Sequence, residues 1–303
     1  MVAPSGRQLE RSALTEATPK WSLEFDWHLT NRCNFDCTYC HPQIKHVLNR
    51  RNLDEPDWAN VVQRFDSLGG SSLIHMSGGE PFMFPDFVPL CQGLTKSHYI
   101  SINTNLSHQD VAMFANTIDP SRVVKIAAAM HIQERERLGV DPEQFINDVE
   151  SLGNAGFPIS ALYILYPPLL ERASEDILKM RSHPTVDVQA KVFKGVYRGK
   201  RYPEAYSDRE RTLIESLSGS YKFNKPYLSM PLTFKGRSCT AGATSFKITV
   251  TGEVRRCASV ATSYGNLYDG TFVPSENAEA CPANRILVMS QCDAYLEGGI
   301  SDE

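Results

Sequence analysis

The chain has 303 residues, 42% of them hydrophobic and 22% charged, which is enough to bury a core and too apolar for a disordered chain. A net charge of −4 gives no overall attraction to polyanions. The longest apolar stretch, residues 159–170, is interrupted by Pro167 and Pro168 and falls short of a bilayer span, so neither nucleic acid nor a membrane is an expected partner.

The first 20 residues are polar and lack the apolar segment of a secretory signal, which points to a cytoplasmic protein. From Ser22 onward, strand and helix patterns alternate, as in an α/β fold with a parallel sheet. Strands are expected over residues 23–29, 72–76, 99–103, 123–129, 159–165 and 186–193. Helices are expected over 55–68, 86–94, 109–117, 142–155 and 174–181, several preceded by an Asp or Ser able to cap them.

The rhythm stops after Phe193. Residues 194–231 are basic, aromatic and rich in turns. The cations of residues 191–211, Lys191 and Lys194 among them, are interrupted by Glu204, Asp208 and Glu210. They read as a solvated connection able to lend a cation to a carboxylate, rather than as a nucleic-acid surface. Beyond it, residues 245–250 and 253–256 alternate around Thr251-Gly252 as a β-hairpin. The chain therefore divides into an extension (1–21), an α/β domain (22–193), a bridging segment (194–231) and a small C-terminal domain (232–303).

Eight cysteines are too few for a disulfide scaffold in a chain of this length, and their spacing favours metal ligation. Cys33, Cys37 and Cys40 follow the first expected strand, so three thiols share one loop at a strand's C-terminal end. A structural zinc would want a fourth ligand, for which His41 is the local candidate. An iron-sulfur cluster held by three thiolates instead leaves one iron open to an exogenous ligand. About 37 residues later, Ser77-Gly78-Gly79-Glu80-Pro81 ends the second strand. There the glycines allow close backbone approach, and Glu80 offers a carboxylate to an ammonium.

The CxxxCxxC spacing with Tyr39 before the third cysteine, followed in order by the Gly-Gly-Glu-Pro turn, resembles the radical S-adenosylmethionine (radical SAM) superfamily. The resemblance implies a partial (β/α)6 TIM-like barrel over residues 22–193. It also implies a [4Fe–4S] cluster on Cys33, Cys37 and Cys40, with SAM chelating the open iron. Gly78, Gly79 and Glu80 would hold the methionine amino group, Asn103 and Asn105 at the end of the third strand the ribose and carboxylate, and Tyr39 the adenine. Thr104 shares that strand end, and His131 beyond the fourth strand is either a substrate-facing acid or base or a structural residue.

Cys239 and Cys257 bracket the hairpin in a C-x9-15-G-x4-C arrangement that includes Gly252. This resembles the SPASM or shorter twitch domains of the same superfamily and implies an auxiliary [4Fe–4S] cluster, with Cys281 and Cys292 as the remaining ligands. A structural zinc on the same four thiols is the alternative. Cys91 is left over, as a small hydrophobe on the second expected helix.

With all four C-terminal cysteines bound to metal, a thiol hydrogen donor is lacking, which favours oxidation of a small polar substrate such as an amino sugar or aminocyclitol. An epimerase would need Cys91, Cys281 or Cys292 as donor. Peptide modification is a further alternative, disfavoured by the short stretch before the first strand, and a zinc or electron-transfer protein is another. An external electron donor such as flavodoxin or ferredoxin is implied.

Overall fold

A computed structural model describes residues 20–40, 56–222, 224–228 and 234–283. Six strands form its centre: β1 (Leu23–Thr30), β2 (Ser72–Gly78), β3 (Tyr99–Thr104), β4 (Val123–Ala129), β5 (Ile159–Leu165) and β6 (Asp187–Val192). Each lies parallel to the next. Helices follow the strands as the sequence pattern requires: α1 (Trp58–Ser67), α2 (Phe87–Leu94), α3 (Val111–Thr117), α4 (Ile132–Leu138), α5 (Pro142–Asn154), α6 (Leu170–Arg181), α7 (Asp208–Leu217) and α8 (Asn224–Leu228). Asp57 caps α1, Asp141 caps α5, and Ser207 with Glu210 forms a capping box on α7. Helices α4, α7 and α8 have no counterpart in the sequence reading, which treats residues 194–231 as a turn-rich bridge.

The hairpin takes a place in this sheet. After two short strands, β7 (Gly195–Tyr197) and β8 (Lys200–Tyr202), and the two-residue β9 (Ser238–Cys239), strand β10 (Ser245–Ile248) pairs in parallel with β1. Antiparallel β11 (Glu253–Cys257) and β12 (Val260–Asn266) then extend the sheet to nine strands. It remains open, with β6 and β12 at its two ends. The reason is apolar burial: Phe246 of β10 stacks on Phe25 of β1 at 5.5 Å, and Phe272 meets both rings edge-on.

The two faces of the sheet differ in chemistry. Phe25, Trp27, Leu29, Ile74, Met76, Ile100 and Ile126 are buried on one face, where Phe25 meets Phe65 of α1 at 5.3 Å. The other face is polar. In-register partners place Lys247, Asp26, His75, Ser101 and Lys125 in one row across five strands, and Lys247 pairs with Asp26 at 3.0 Å. Alternation along β1 sends apolar side chains to the helices and polar ones to this inner surface.

Candidate functional site

The loop after β1 keeps a two-residue rhythm, with Phe35, Cys37 and Tyr39 buried and Asn34, Asp36 and Thr38 exposed. The apolar members anchor it. Its polar groups are bound from outside: the Asp36 amide donates to Glu134 Oε1 at 2.7 Å, and Thr38 donates to Gln133 at 3.2 Å. Asn105 Nδ2 donates to Asn34 Oδ1 at 2.9 Å, while Asn34 Nδ2 donates to Ser107 at 2.8 Å. The end of β3 and the start of α4 together hold the cysteine loop in place.

Gly78 and Gly79 are required by the approach of two backbones. A Cβ on Gly79 would lie 2.0 Å from the Arg32 carbonyl oxygen, and one on Gly78 2.4 Å from that of Thr30. The space is used for hydrogen bonds from Gly79 N to Thr30 O and from Glu80 N to Arg32 O, each 2.8 Å. The turn is thus fixed against the root of the cysteine loop.

Glu80 is fully buried. Its carboxylate accepts from the Thr104 hydroxyl at 2.7 Å, the Asn105 amide at 2.6 Å and the Phe82 amide at 3.2 Å. Burial pushes its carboxyl up to about 7, opposed by those three donors and by Arg135.

Arg135 is the main residue the sequence reading passed over. It is 1% exposed, donates from Nε to the Met130 carbonyl at 2.7 Å and from its terminal nitrogen to the Asn105 carbonyl, and lies against the rings of Phe35 and Phe145. His131, just before it, adopts φ 45°, a left-handed conformation uncommon outside glycine. Its ring faces Tyr39, with Nδ1 3.4 Å from the phenol oxygen, and burial pulls its pKa down to about 4, so it is neutral near pH 7. Tyr166 then continues the aromatic wall, 4.9 Å from Tyr39 and 5.0 Å from Phe193.

Tyr39, Glu80, His131 and Phe193 among these groups line a cavity of about 280 Å³ that receives residues from the C-terminal ends of all six central strands. Cys33, Cys37, Cys40 and Tyr39 line it after β1; Gly78, Gly79 and Glu80 after β2; Asn103, Thr104 and Asn105 after β3; His131 after β4. Leu162, Ile164, Val192, Phe193 and Lys194 complete the far wall. A single zinc with bonds of about 2.3 Å draws its thiolates within about 4 Å of one another. Among the described residues, no three His, Cys, Asp or Glu side chains converge to hold one ion. Cys33, Cys37 and Cys40 line one cavity, and three thiolates beside space for an exogenous ligand are the donor set of a [4Fe–4S] group with one open iron; His41 lies outside the described residues.

The Radical SAM superfamily model matches residues 27–180, half of the chain. The chain belongs to the radical SAM superfamily. Among curated relatives of this radical SAM protein, a PqqA peptide cyclase of Ruegeria pomeroyi is 32% identical over 105 residues, covering 35% of this chain and 26% of that protein. A probable GTP 3',8-cyclase of Metallosphaera sedula is 25% identical over 143 residues, 45% of each chain. The chain thus spans less than half the length of either relative.

The fold also resembles solved structures. That of anSMEcpe with bound AdoMet aligns with TM-score 0.57 and 15% identity over 81% of this chain and 78% of that one. Streptococcus suis SuiB bound to S-adenosylmethionine aligns with TM-score 0.53 and 17% identity over 82% and 64%.

The second thiol group of this radical SAM protein lies beside the hairpin. Cys239, Cys257 and Cys281 pack together with Phe234 and Ala241 in a small core of their own. Strand β13 (Glu279–Ala280) pairs with β9, setting Glu279 opposite Cys239. Arg256, 4% exposed, closes the group by donating to the carbonyls of Ala241 and Glu279 at 3.0 and 2.9 Å. Cys292 lies outside the described residues. Cys91 is fully buried on α2 and is not among the residues lining the cavity.

Proposed function

We propose that this radical SAM protein cleaves SAM reductively and takes a hydrogen atom from a C–H bond of a substrate held on the polar face of the sheet. The observation that carries this reading is the sharing of one cavity by Cys33, Cys37, Cys40 and the Gly78-Gly79-Glu80 turn. When bound, the [4Fe–4S] cluster with SAM supplies a 5'-deoxyadenosyl radical.

The chain's residues do the rest. Cys33, Cys37 and Cys40 would hold three irons, and the Glu80, Asn103 and Asn105 rim would orient the amino acid and ribose of SAM. Tyr39 would pack on the adenine. Leu162, Ile164, Val192 and Phe193 keep water from the reacting carbon, which also has to be held close to the attacking one.

Oxidation of a small polar compound is the outcome best supported by the thiols. Residues 232–303 act in this reading as a twitch-like domain in which Cys239, Cys257, Cys281 and Cys292 hold an auxiliary [4Fe–4S] cluster as electron acceptor. The remaining cysteine, Cys91, is fully buried and is not among the residues lining the cavity. A flavodoxin or ferredoxin in the cytoplasm would supply the reducing electron. A second reading, modification of a peptide, is favoured by the similarity to a PqqA peptide cyclase.

Anaerobically reconstituted protein given dithionite should form 5'-deoxyadenosine from SAM, and Cys37→Ala should lower the rate at least ~100-fold, since loss of a direct ligand costs more than the ~10–100-fold lost with an outer-shell partner. Absence of 5'-deoxyadenosine from iron-replete wild type would refute the proposal. Solvent deuterium retained on the substrate carbon would replace oxidation by epimerisation.

A further inference from the structure

One lysine on the far wall of the cavity and two on the sheet face that leads to it are arranged in a way that SAM cleavage does not explain. Lys194 lines the cavity itself. Lys191 on β6 pairs in register with Ile164 of β5, a cavity-lining residue, and Lys125 lies two residues before Ala127, another. In-register partners share a face of a parallel sheet, so the amines stand on the polar inner surface.

None of the three forms an ion pair within 4 Å among the described residues. Lys194 Nζ donates to the Tyr227 hydroxyl at 2.9 Å and lies 4.2 Å from the centre of that ring. Lys191 rests 4.7 Å from the Tyr221 ring, and Lys125 donates to the Gln189 amide oxygen at 3.4 Å. The acid that influences Lys125 is Asp187, whose carboxylate already accepts from Ser160 at 2.8 Å and from Gln189 at 3.0 Å.

Burial first, and then Lys125 and Lys194 as neighbouring cations, pull Lys191 down to about 7. Burial alone pulls Lys194 down to about 8. Clustered amines with no ion pair among the described residues are unfavourable in the free protein. An arriving anion would relieve the repulsion, hold the amines protonated and gain charge-assisted hydrogen bonds.

We propose that Lys125, Lys191 and Lys194 form an anion-recognition patch that receives a carboxylate or phosphate group of the substrate. The proposal rests on the radical SAM reading of the same cavity and adds the substrate's charge. A cationic amine of the substrate would be turned away from this wall by the same lysines.

The test uses reconstituted holoprotein with saturating SAM, titrated calorimetrically with inorganic phosphate and, separately, with succinate at matched ionic strength. One of the two should bind, and Lys191→Met or Lys194→Met should weaken it at least ~10-fold, consistent with loss of a charge-assisted contact. The exposed Lys200→Met should change it less than ~2-fold. Preference for phosphate assigns a phosphoryl group and preference for succinate a carboxylate. Binding of neither, or binding indifferent to both variants, overturns the patch.

Unmutated protein gives a second measurement, because amines of low pKa react readily with pyridoxal phosphate and borohydride. The preferred anion should protect Lys191 and Lys194 from labelling with SAM present. Complete protection by SAM alone would assign these lysines to the cofactor and overturn the proposal. Formation of 5'-deoxyadenosine by wild type reports the underlying reading separately, so the failure of one is distinguishable from the failure of the other.

Discussion

The carboxylate of Glu134 accepts the Asp36 amide at 2.7 Å and is bracketed by Arg137 at 2.6 and 2.9 Å, all within a residue only 3% exposed. That amide lies between Cys33 and Cys37, so one buried side chain on α4 sets the path of the loop that presents the thiols. A hydrogen bond to a charged group is worth about 1.5–3 kcal/mol, and Glu134→Ala should lose that much in urea unfolding. It should also retain less iron after reconstitution, because the loop is no longer preorganised. Glu134→Gln keeps an acceptor at the same position and should recover more than half of both losses. Equal iron in the alanine variant and wild type would show instead that the thiols shape their own loop.

At the level of elements, the hairpin and the central strands are energetically one unit. Phe246 is 1% exposed and touches Phe25, Tyr264 and Phe272. Removal of such a ring costs about 3–5 kcal/mol. In a Trp21→Phe, Trp58→Phe background, where Trp27 of β1 beside Phe65 is the sole tryptophan, Phe246→Ala should therefore shift the urea midpoint reported by fluorescence. A Trp27 transition that does not move would mean that the hairpin folds apart from β1.

This pairing was not legible in the sequence. The hairpin itself was, through alternation about Thr251-Gly252, but its partner lies more than 200 residues away, as the Asp26–Lys247 pair shows. Strands β1 to β6 were legible because buried parallel strands need short apolar runs. Helix α4 was not, because IQERERL is short and mostly charged, and its single marker is Gly139 at φ 68° closing the helix. Glu134 and Arg135 lie on that same short helix, and the sequence pattern did not single them out. The thiols and the Gly78-Gly79 turn announced themselves by spacing, whereas the demand of Gly79 for space against Arg32 needed the fold.

Across the whole molecule, the nine-stranded sheet reaches one cysteine of each thiol group, while Cys239 stands on the separate β9–β13 pair. Cys33 follows β1, and Cys257 ends β11, two strands away through β10. Their surroundings differ. The first group faces a cavity, as a site that admits a ligand must, while the second is packed among Phe234, Ala241 and the buried Arg256. If both hold [4Fe–4S] clusters, wild type should carry about eight irons per chain, and Cys257→Ala or Cys37→Ala should each retain about four. The remaining iron should behave differently in the two variants. Reduced Cys257→Ala should show an electron paramagnetic resonance signal that changes when SAM is added, because its cluster is the one open to the cavity. Reduced Cys37→Ala should show a signal indifferent to SAM. One zinc per chain that disappears in Cys257→Ala would make the second group structural, and the electron released in an oxidation would then need another acceptor.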